Sequence, residues 1–555
     1  MTPTPRTLTP RQVADRWVET LADLDPAVGT ALGIRPADTR MPDLGPDAMG
    51  ERAAAARAAL AELDAAVAVD DDDRRCAVLL RERLGASLDL HDAGEDLVAL
   101  RPIGSPVHQL QSIFLLMPTA TPQDWDVVVQ RMAQVPHAAQ TFRATLEHGL
   151  ATGHRSAARQ AETVAGQLEA WANQDWFAGF VAPAPDAARA AGAAGAATGA
   201  VVDLARWLRD TYLPAVADVP DGVGHDRYLL SARQFLGTTV DPDEAYAYGW
   251  DELDRISAEM ALEADRVLPG GSVAEAFEHL DRAGPAVEGV EEVRAWLQDM
   301  MERAIEDLDG TVVDIDPRVR QVEARIAPPG AAAAPYYTRP SLDFSRPGRT
   351  WLPTLGRTRF PLHDLVSTWY HEGVPGHHLQ LGTWAARAGE LSRFQVSLGS
   401  VSATTEGWAL YAERLADELG YLRAPGVRLG YLDSQRMRAV RVVIDLGMHL
   451  GLRVPQDRTF HPGERWTADL GREFMAARSG SPAAFVASEV VRYLGWPGQA
   501  ISYKLGERAW LAGRAAAAAR AAAAGDELDL RAWHTAALGL GSLGLADLER
   551  ELSTC

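Results

Sequence analysis

Apolar residues recur along most of the chain three and four positions apart, the spacing of a helix face, and runs that alternate like a strand are few. One clear stripe is Leu362, Leu365, Val366 and Trp369, which at i, i+3, i+4 and i+7 predicts a helix running up to His371. Alanine, the best helix former, fills 51–69 and 514–525, so helices are expected there even where the two faces are poorly separated. The second of these reads as an ordinary surface helix. Pro and Gly punctuate the pattern at 182–199, 220–224 and 327–353. The last stretch also carries Tyr336, Tyr337, Phe344 and Trp351. It is either a strand-containing loop anchored in the core or an extended segment packed over a groove, where Tyr337 would meet a substrate.

This pattern predicts a mainly α protein with a small β or loop element. We divide it loosely into an N-terminal helical half, 1–325, and a C-terminal half, 326–555, that carries most of the candidate chemistry. No internal repeat at solenoid periods is evident. The length of 555 residues permits a large core, and 47% hydrophobic with 23% charged residues is ordinary for a soluble globular chain. No apolar run approaches the roughly 20 residues that span a bilayer. The first 17 residues hold arginines but no apolar stretch, so they do not read as a secretory signal, and a cytoplasmic protein is expected. A net charge of −22 argues against general nucleic-acid binding. With Cys76 and Cys555 as the only cysteines, any metal must be held by His and carboxylates.

The candidate chemistry begins at "HEGVPGHHLQ", 371–380. In the familiar HExxH zinc motif the second histidine follows the first by four, one helical turn on; here that position is Pro375. On an unbroken helix, His371 and His377 would stand about 120° apart around the axis and about 9 Å apart along it, too far to share an ion. Pro375 cannot donate the hydrogen bond that would reach the His371 carbonyl, and its ring disfavours helix at Val374. Gly373 and Gly376 give the chain room to turn. The expanded motif HExxxxH is therefore able to form a metal site; the competing reading is a helix joint whose histidines cap helix ends or sit in the core.

A third ligand is expected in "TTEGWALYAERL", 404–415, where Thr404 or Thr405 can cap a helix with Glu406 in its first turn and Glu413 two turns later on the same side. A glutamate on a downstream helix is the gluzincin arrangement. Glu372 would then be the general base toward the activated water. His378, pointing away from His377, would orient ligands from behind or bind substrate. Arg438, Arg441, Asp445 and His449 form a row at helical steps that either binds a substrate carboxylate or is an internal salt-bridge ladder. In "YLGWPGQAISYKLG", 493–506, Gln499 is expected to start a helix that places Tyr503 at i+4. Tyr503, and after it Tyr493, is the candidate donor to an oxyanion.

Together, "HEGVPGHHLQ", "TTEGWALYAERL", "RAVRVVIDLGMHLG" and "YLGWPGQAISYKLG" resemble the bacterial family called domain of unknown function 885. "LADLDPAVGTALG" (21–33) and "SIFLLMPTATPQDW" (112–125) extend the resemblance over nearly the whole chain. That family is similar to zinc carboxypeptidases of the thermostable Taq type, which are largely helical with a deep substrate groove. The resemblance implies a large gluzincin-like metallopeptidase fold in which the N-terminal half walls the groove. Gly376-His377 matches the second half of those enzymes' His-Glu-x-Gly-His motif after an insertion, which makes His377 rather than His378 the second ligand. Glu406 matches their third.

The leading expectation is a metallohydrolase with one Zn2+ per chain that cleaves an amide in a short peptide or amino-acid conjugate. His371, His377 and Glu406 hold the metal, with Glu372 and Tyr503 catalytic. Arg438, Arg441, His449, Tyr493, Gln499 and Tyr337 would contact substrate, and His378, Glu413 and Asp445 would support the ligands. Two other readings stand beside it: metal-dependent hydrolysis or lyase chemistry on a small metabolite, and a non-catalytic helical binding protein. The expected partner is a small peptide or amino-acid-like substrate, with a homodimer allowed and neither nucleic acid nor membrane.

Overall fold

The computed structural model describes residues 8–328 and 334–555. It is mainly helical, with two small sheets. A smaller core gathers residues between Met41 and Val216, and a larger one takes side chains from Val13 to Leu552. The larger core draws on both sides of position 325, so the two halves of the sequence share one apolar interior. No helix among the described residues is long and apolar enough to cross a membrane.

The stretch 182–199 departs from the expected break, for a helix runs unbroken from Ala187 to Trp207. Ala190, Ala193, Ala194 and Ala197 are buried against neighbouring helices of the smaller core. Packing of this alanine face outweighs the roughly 1 kcal/mol that each interior glycine costs.

The segment 327–353 does contain strands. Gly348–Leu352 lies centrally, parallel to Val322–Ile326 and antiparallel to Tyr336–Thr338, with Tyr336 opposite Trp351. Their rings stack at 5.9 Å between centroids. A second antiparallel pair, Ala286–Glu288 with Arg359–Pro361, leads directly into the helix that carries His371.

Two helices of the larger core, Ser402–Glu418 and Ser502–Ala524, cross with their backbones in contact. A Cβ added at Gly407 would lie 2.3 Å from the Gly506 carbonyl carbon, and one at Gly506 would lie 2.1 Å from the Ala403 carbonyl oxygen. Neither backbone atom can move aside as a side chain could, so only glycine permits this approach. The crossing sits immediately beside Glu406 on one helix and Tyr503 on the other. We expect Gly407→Ala and Gly506→Ala each to lower unfolding stability by at least about 1–3 kcal/mol, the usual cost of overpacking, as measured by chemical denaturation.

Candidate metal centre and cleft

The helix Leu362–Glu372 buries Leu365, Val366 and Trp369, the stripe that its sequence spacing predicts. At its end the Gly373 N–H donates to the Trp369 carbonyl at 2.8 Å, after which the chain turns out through a cis Val374–Pro375 bond. The turn folds back: the Gly376 N–H reaches the Tyr370 carbonyl at 3.0 Å and the His378 N–H reaches the Gly373 carbonyl at 3.1 Å. A second helix then runs from His377 to Ala386. A Cβ at Gly376 would stand 1.9 Å from the His371 carbonyl oxygen, so no other residue fits there.

The break is held from outside as well. The Trp408 indole N–H is shared between the carbonyls of Pro375, at 2.9 Å, and Gly376, at 3.1 Å. Trp408 lies two residues beyond Glu406 on the same helix, so the element that supplies Glu406 also fastens the turn that supplies His377. That helix starts at Ser402, without a side-chain cap, which puts Glu406 in its second turn rather than its first. Thr404 and Thr405 do not cap it: their hydroxyls bond the Leu543 carbonyl and the carbonyls of their own helix.

The consequence is convergence. The His371 and His377 rings stand nearly perpendicular with centroids 4.8 Å apart. Glu406 Oε2 lies 3.4 Å from His371 Nε2 and 3.7 Å from His377 Nε2. All three donor atoms fall within 4.8 Å of one another, the one such cluster of His, Cys, Asp and Glu among the described residues. Ligands about 2.1 Å from a tetrahedral zinc stand roughly 3.4 Å apart, so the glutamate–histidine separations suit an ion of that size. Glu406 Oε2 is buried without a hydrogen-bond donor, an expensive arrangement for a carboxylate that a cation would relieve.

The protonation pattern agrees with this. His371 Nδ1 lies 2.8 Å from Glu413 Oε1 and donates to it, which leaves Nε2 as the ring nitrogen turned toward Glu406. Burial alone would lower the His371 pKa, but the Glu406 and Glu413 carboxylates outweigh it and raise it to about 9. The pocket therefore calls for positive charge. Burial pushes Glu406 up, yet the two imidazoles hold it well below the usual carboxylate range. Glu413 is likewise pushed up by burial and brought below its ordinary value chiefly by Arg438, 3.3 Å away, with Ser367 donating at 2.5 Å. Burial raises Glu372, which keeps its carboxyl more basic than an exposed one.

These groups open on a cleft of about 480 Å3. His371, Glu372, His377, Glu406, Tyr503, Tyr337, Arg438 and Arg441 all line it. The Tyr503 ring lies under the Arg441 guanidinium at 4.9 Å, and burial raises its pKa. Its helix begins at Ser502, so Gln499 belongs to the preceding turn and not to the helix. Tyr337 is committed by its hydroxyl to His378 Nδ1 at 2.9 Å. His378 donates from Nε2 to the Val319 carbonyl at 2.6 Å, and burial lowers its pKa to about 4. Both ring nitrogens of His378 are thus engaged away from the ligand set, and the residue ties down the Tyr337 strand.

Four further expectations are corrected. His449, Tyr493 and Gln499 are not among the residues that line the cleft, and Asp445, expected to support the ligands, bonds Tyr228 and Gly498 instead. At 1.5 Å of rise per residue, Asp445 and His449 lie about 6 and 12 Å beyond Arg441 along the helix Val427–Leu450, past the end of the cleft. Asp445 accepts from Tyr228 at 2.7 Å and from the Gly498 N–H at 3.0 Å, while His449 bonds the Tyr493 carbonyl. Tyr493 supports Arg441 from behind at 2.8 Å, and Gln499 accepts from Arg492. The row is half cleft wall and half internal scaffold. Sequence reasoning does not single out Ser367, Trp408, Arg339, Met437 or Phe485; Trp408 stands inside the motif "TTEGWALY", and Arg339 inside the stretch 327–353 read as an anchored loop or a groove-covering segment.

A model of the family described as "Bacterial protein of unknown function (DUF885)" matches residues 26–552. The chain belongs to that family. The fold of this DUF885 protein is shared with two solved structures. One is described as a "putative lipoprotein" of Colwellia psychrerythraea, with 22% identity, a TM-score of 0.82 and 98% of each chain covered. The other, from Shewanella oneidensis and described as a "putative lipoprotein of unknown function", has 17% identity and a TM-score of 0.77, covering 98% of this chain and 99% of its own. No curated protein matches this DUF885 chain.

Two outcomes follow from the geometry. Trp408→Phe keeps an aromatic ring but leaves the buried Pro375 carbonyl without its donor and the Gly376 carbonyl with the Gln380 N–H alone, so a stability loss of about 1–3 kcal/mol is expected in denaturant titrations. Burial raises Asp445 from an ordinary 3.8 to about 7, so its contribution is fully present at low pH and is lost as pH rises from about 4 through 7. Asp445→Asn is expected to flatten the stability profile across that window in pH-dependent thermal unfolding.

Proposed function

We propose that this protein is a zinc-dependent hydrolase that cleaves an amide bond in a short peptide or an amino-acid conjugate. The observation that carries the reading is the meeting of His371, His377 and Glu406 in the lining of a cleft that Glu372, next to His371 in the chain, also lines. The resemblance of "HEGVPGHHLQ" and "TTEGWALYAERL" to the Taq-type zinc carboxypeptidases supports it. One zinc per chain would be held by His371 Nε2, His377 Nε2 and Glu406 Oε2. When bound, it supplies a Lewis acid that polarises the substrate carbonyl and lowers the pKa of a water.

Glu372, more basic for being buried, accepts a proton from the attacking water as the new C–O bond forms. It returns that proton to the amide nitrogen as the C–N bond breaks, so the products are a carboxylic acid and an amine. Tyr503, whose hydroxyl has no hydrogen bond among the described residues, donates to the oxygen that gains charge. Glu413 holds His371 in the tautomer the reaction needs, and Ser367 and Arg438 hold Glu413. The two cysteines are unpaired, as a reducing cytoplasm allows.

Elemental analysis of protein purified without chelator should give about one zinc per chain; a folded, metal-free protein that takes up no zinc would sink the site. Glu372→Gln should keep the metal and lose about 10²–10⁴-fold in turnover on a panel of dipeptides and acyl amino acids. Undiminished hydrolysis in that variant would remove Glu372 from the chemistry.

A further inference from the structure

Three arginines line the cleft, and they are not equivalent. Arg438 faces Glu413 at 3.3 Å, and Arg441 is paired with Glu489 at 2.8 Å while also donating to Tyr493. Each already has a protein carboxylate beside its charge, Arg438 through an ion pair alone, which withdraws them as the first choice for a substrate anion. Arg339 differs. Its one side-chain hydrogen bond runs from Nη1 to the Val396 carbonyl at 2.8 Å, and no carboxylate pairs with it among the described residues. The remaining residues, 1–7 and 329–333, contain no Asp or Glu.

Acid partners are in surplus in this chain, with 76 acidic against 54 basic side chains, so an arginine left without one reflects its position and not a shortage. Arg346, close enough to Tyr337 to act on it electrostatically, likewise has no acidic partner among the described residues, and its guanidinium bonds the Pro347 carbonyl. The carboxylates lining the cleft are Glu372 and Glu406, both at the end where the donors converge. Arg438 lies beside these acids, facing Glu413 and close enough to act on Glu372, whereas Arg339 follows the strand Tyr336–Thr338 and has no acid beside it among the described residues. Burial works against the Arg339 charge, and no protein anion offsets that cost. Its planar fork remains able to take a carboxylate through two N–H groups. Leu381, Met437 and Phe485 supply apolar surface for the rest of such a ligand.

We propose that Arg339 is the recognition residue for a free carboxylate on the substrate, so that the cleft selects acid-bearing amides over their neutral counterparts. This deepens the amide-hydrolase reading and rests on it for the word substrate, but anion recognition is testable without turnover. The probes are hippurate and hippuramide, one benzoyl-glycine skeleton with and without the charge, titrated calorimetrically into the full-length protein. Native protein should bind hippurate at least about tenfold more tightly, the usual effect of one charge-assisted hydrogen bond. Arg339→Gln should erase the preference and Arg339→Lys should retain part of it, with unchanged far-UV circular dichroism and zinc content.

Equal binding of the two probes by native protein, or binding of neither, would overturn the proposal. So would a preference that survives in Arg339→Gln, because the carboxylate would then be meeting the metal-donor end. An Arg339-dependent preference in a protein that hydrolyses no amide would leave the anion site standing and remove the activity instead. Hydrolysis that makes no distinction between acids and neutral amides would do the reverse.

Discussion

The indole N–H of Trp408 and the two carbonyls it meets are the contact on which the candidate site depends. A histidine spacing of six places the rings on different sides of a regular helix, and only an interrupted backbone can bring them together. An interruption leaves main-chain groups unpaired, and burying such groups without a partner is costly. The turn settles most of them internally through Gly376 and His378, and Trp408 takes the carbonyls of Pro375 and Gly376. Because that indole rides on the helix of Glu406, ligand convergence and backbone satisfaction are one structural event. The Gly407–Gly506 crossing then fixes the same helix against the one bearing Tyr503.

Electrostatics extends outward from this point in a defined order. Glu406 is held between two imidazoles, and His371 between two carboxylates. Glu413 in turn is held by Ser367 and Arg438. Each buried charge is answered by the next shell until Arg441, whose Glu489 is shared with Arg492. Arg339 stands outside that succession. Of the three arginines that line the cleft, Arg339 is the one with no carboxylate beside it among the described residues, which makes its charge meaningful in a way that a fully exposed arginine's would not be.

The arginine helix shows how a single element serves two ends. Arg438 and Arg441 reach the cleft, while Asp445 and His449 join Tyr228, Gly498 and the Tyr493 carbonyl in a buried polar knot. A periodic row in sequence guarantees a shared face but says nothing about where along the helix a cavity stops.

Several features were legible from the residues themselves because they depend on local backbone chemistry. The apolar stripe before His371, the break at Pro375 and the need for glycine at 376 follow from hydrogen-bond and steric rules acting within a few positions. The mainly helical character likewise follows from spacing and alanine content. Other features depend on which distant surfaces meet. That His378 faces Tyr337 and Val319, that Trp408 reaches back 32 and 33 residues, and that Arg339 has no acid opposite it are outcomes of packing between elements. Spacing along the chain supplied the donors and the hinge between them; only the tertiary structure decided which side chains that hinge would bring together, because burial and pairing are properties of neighbours in space.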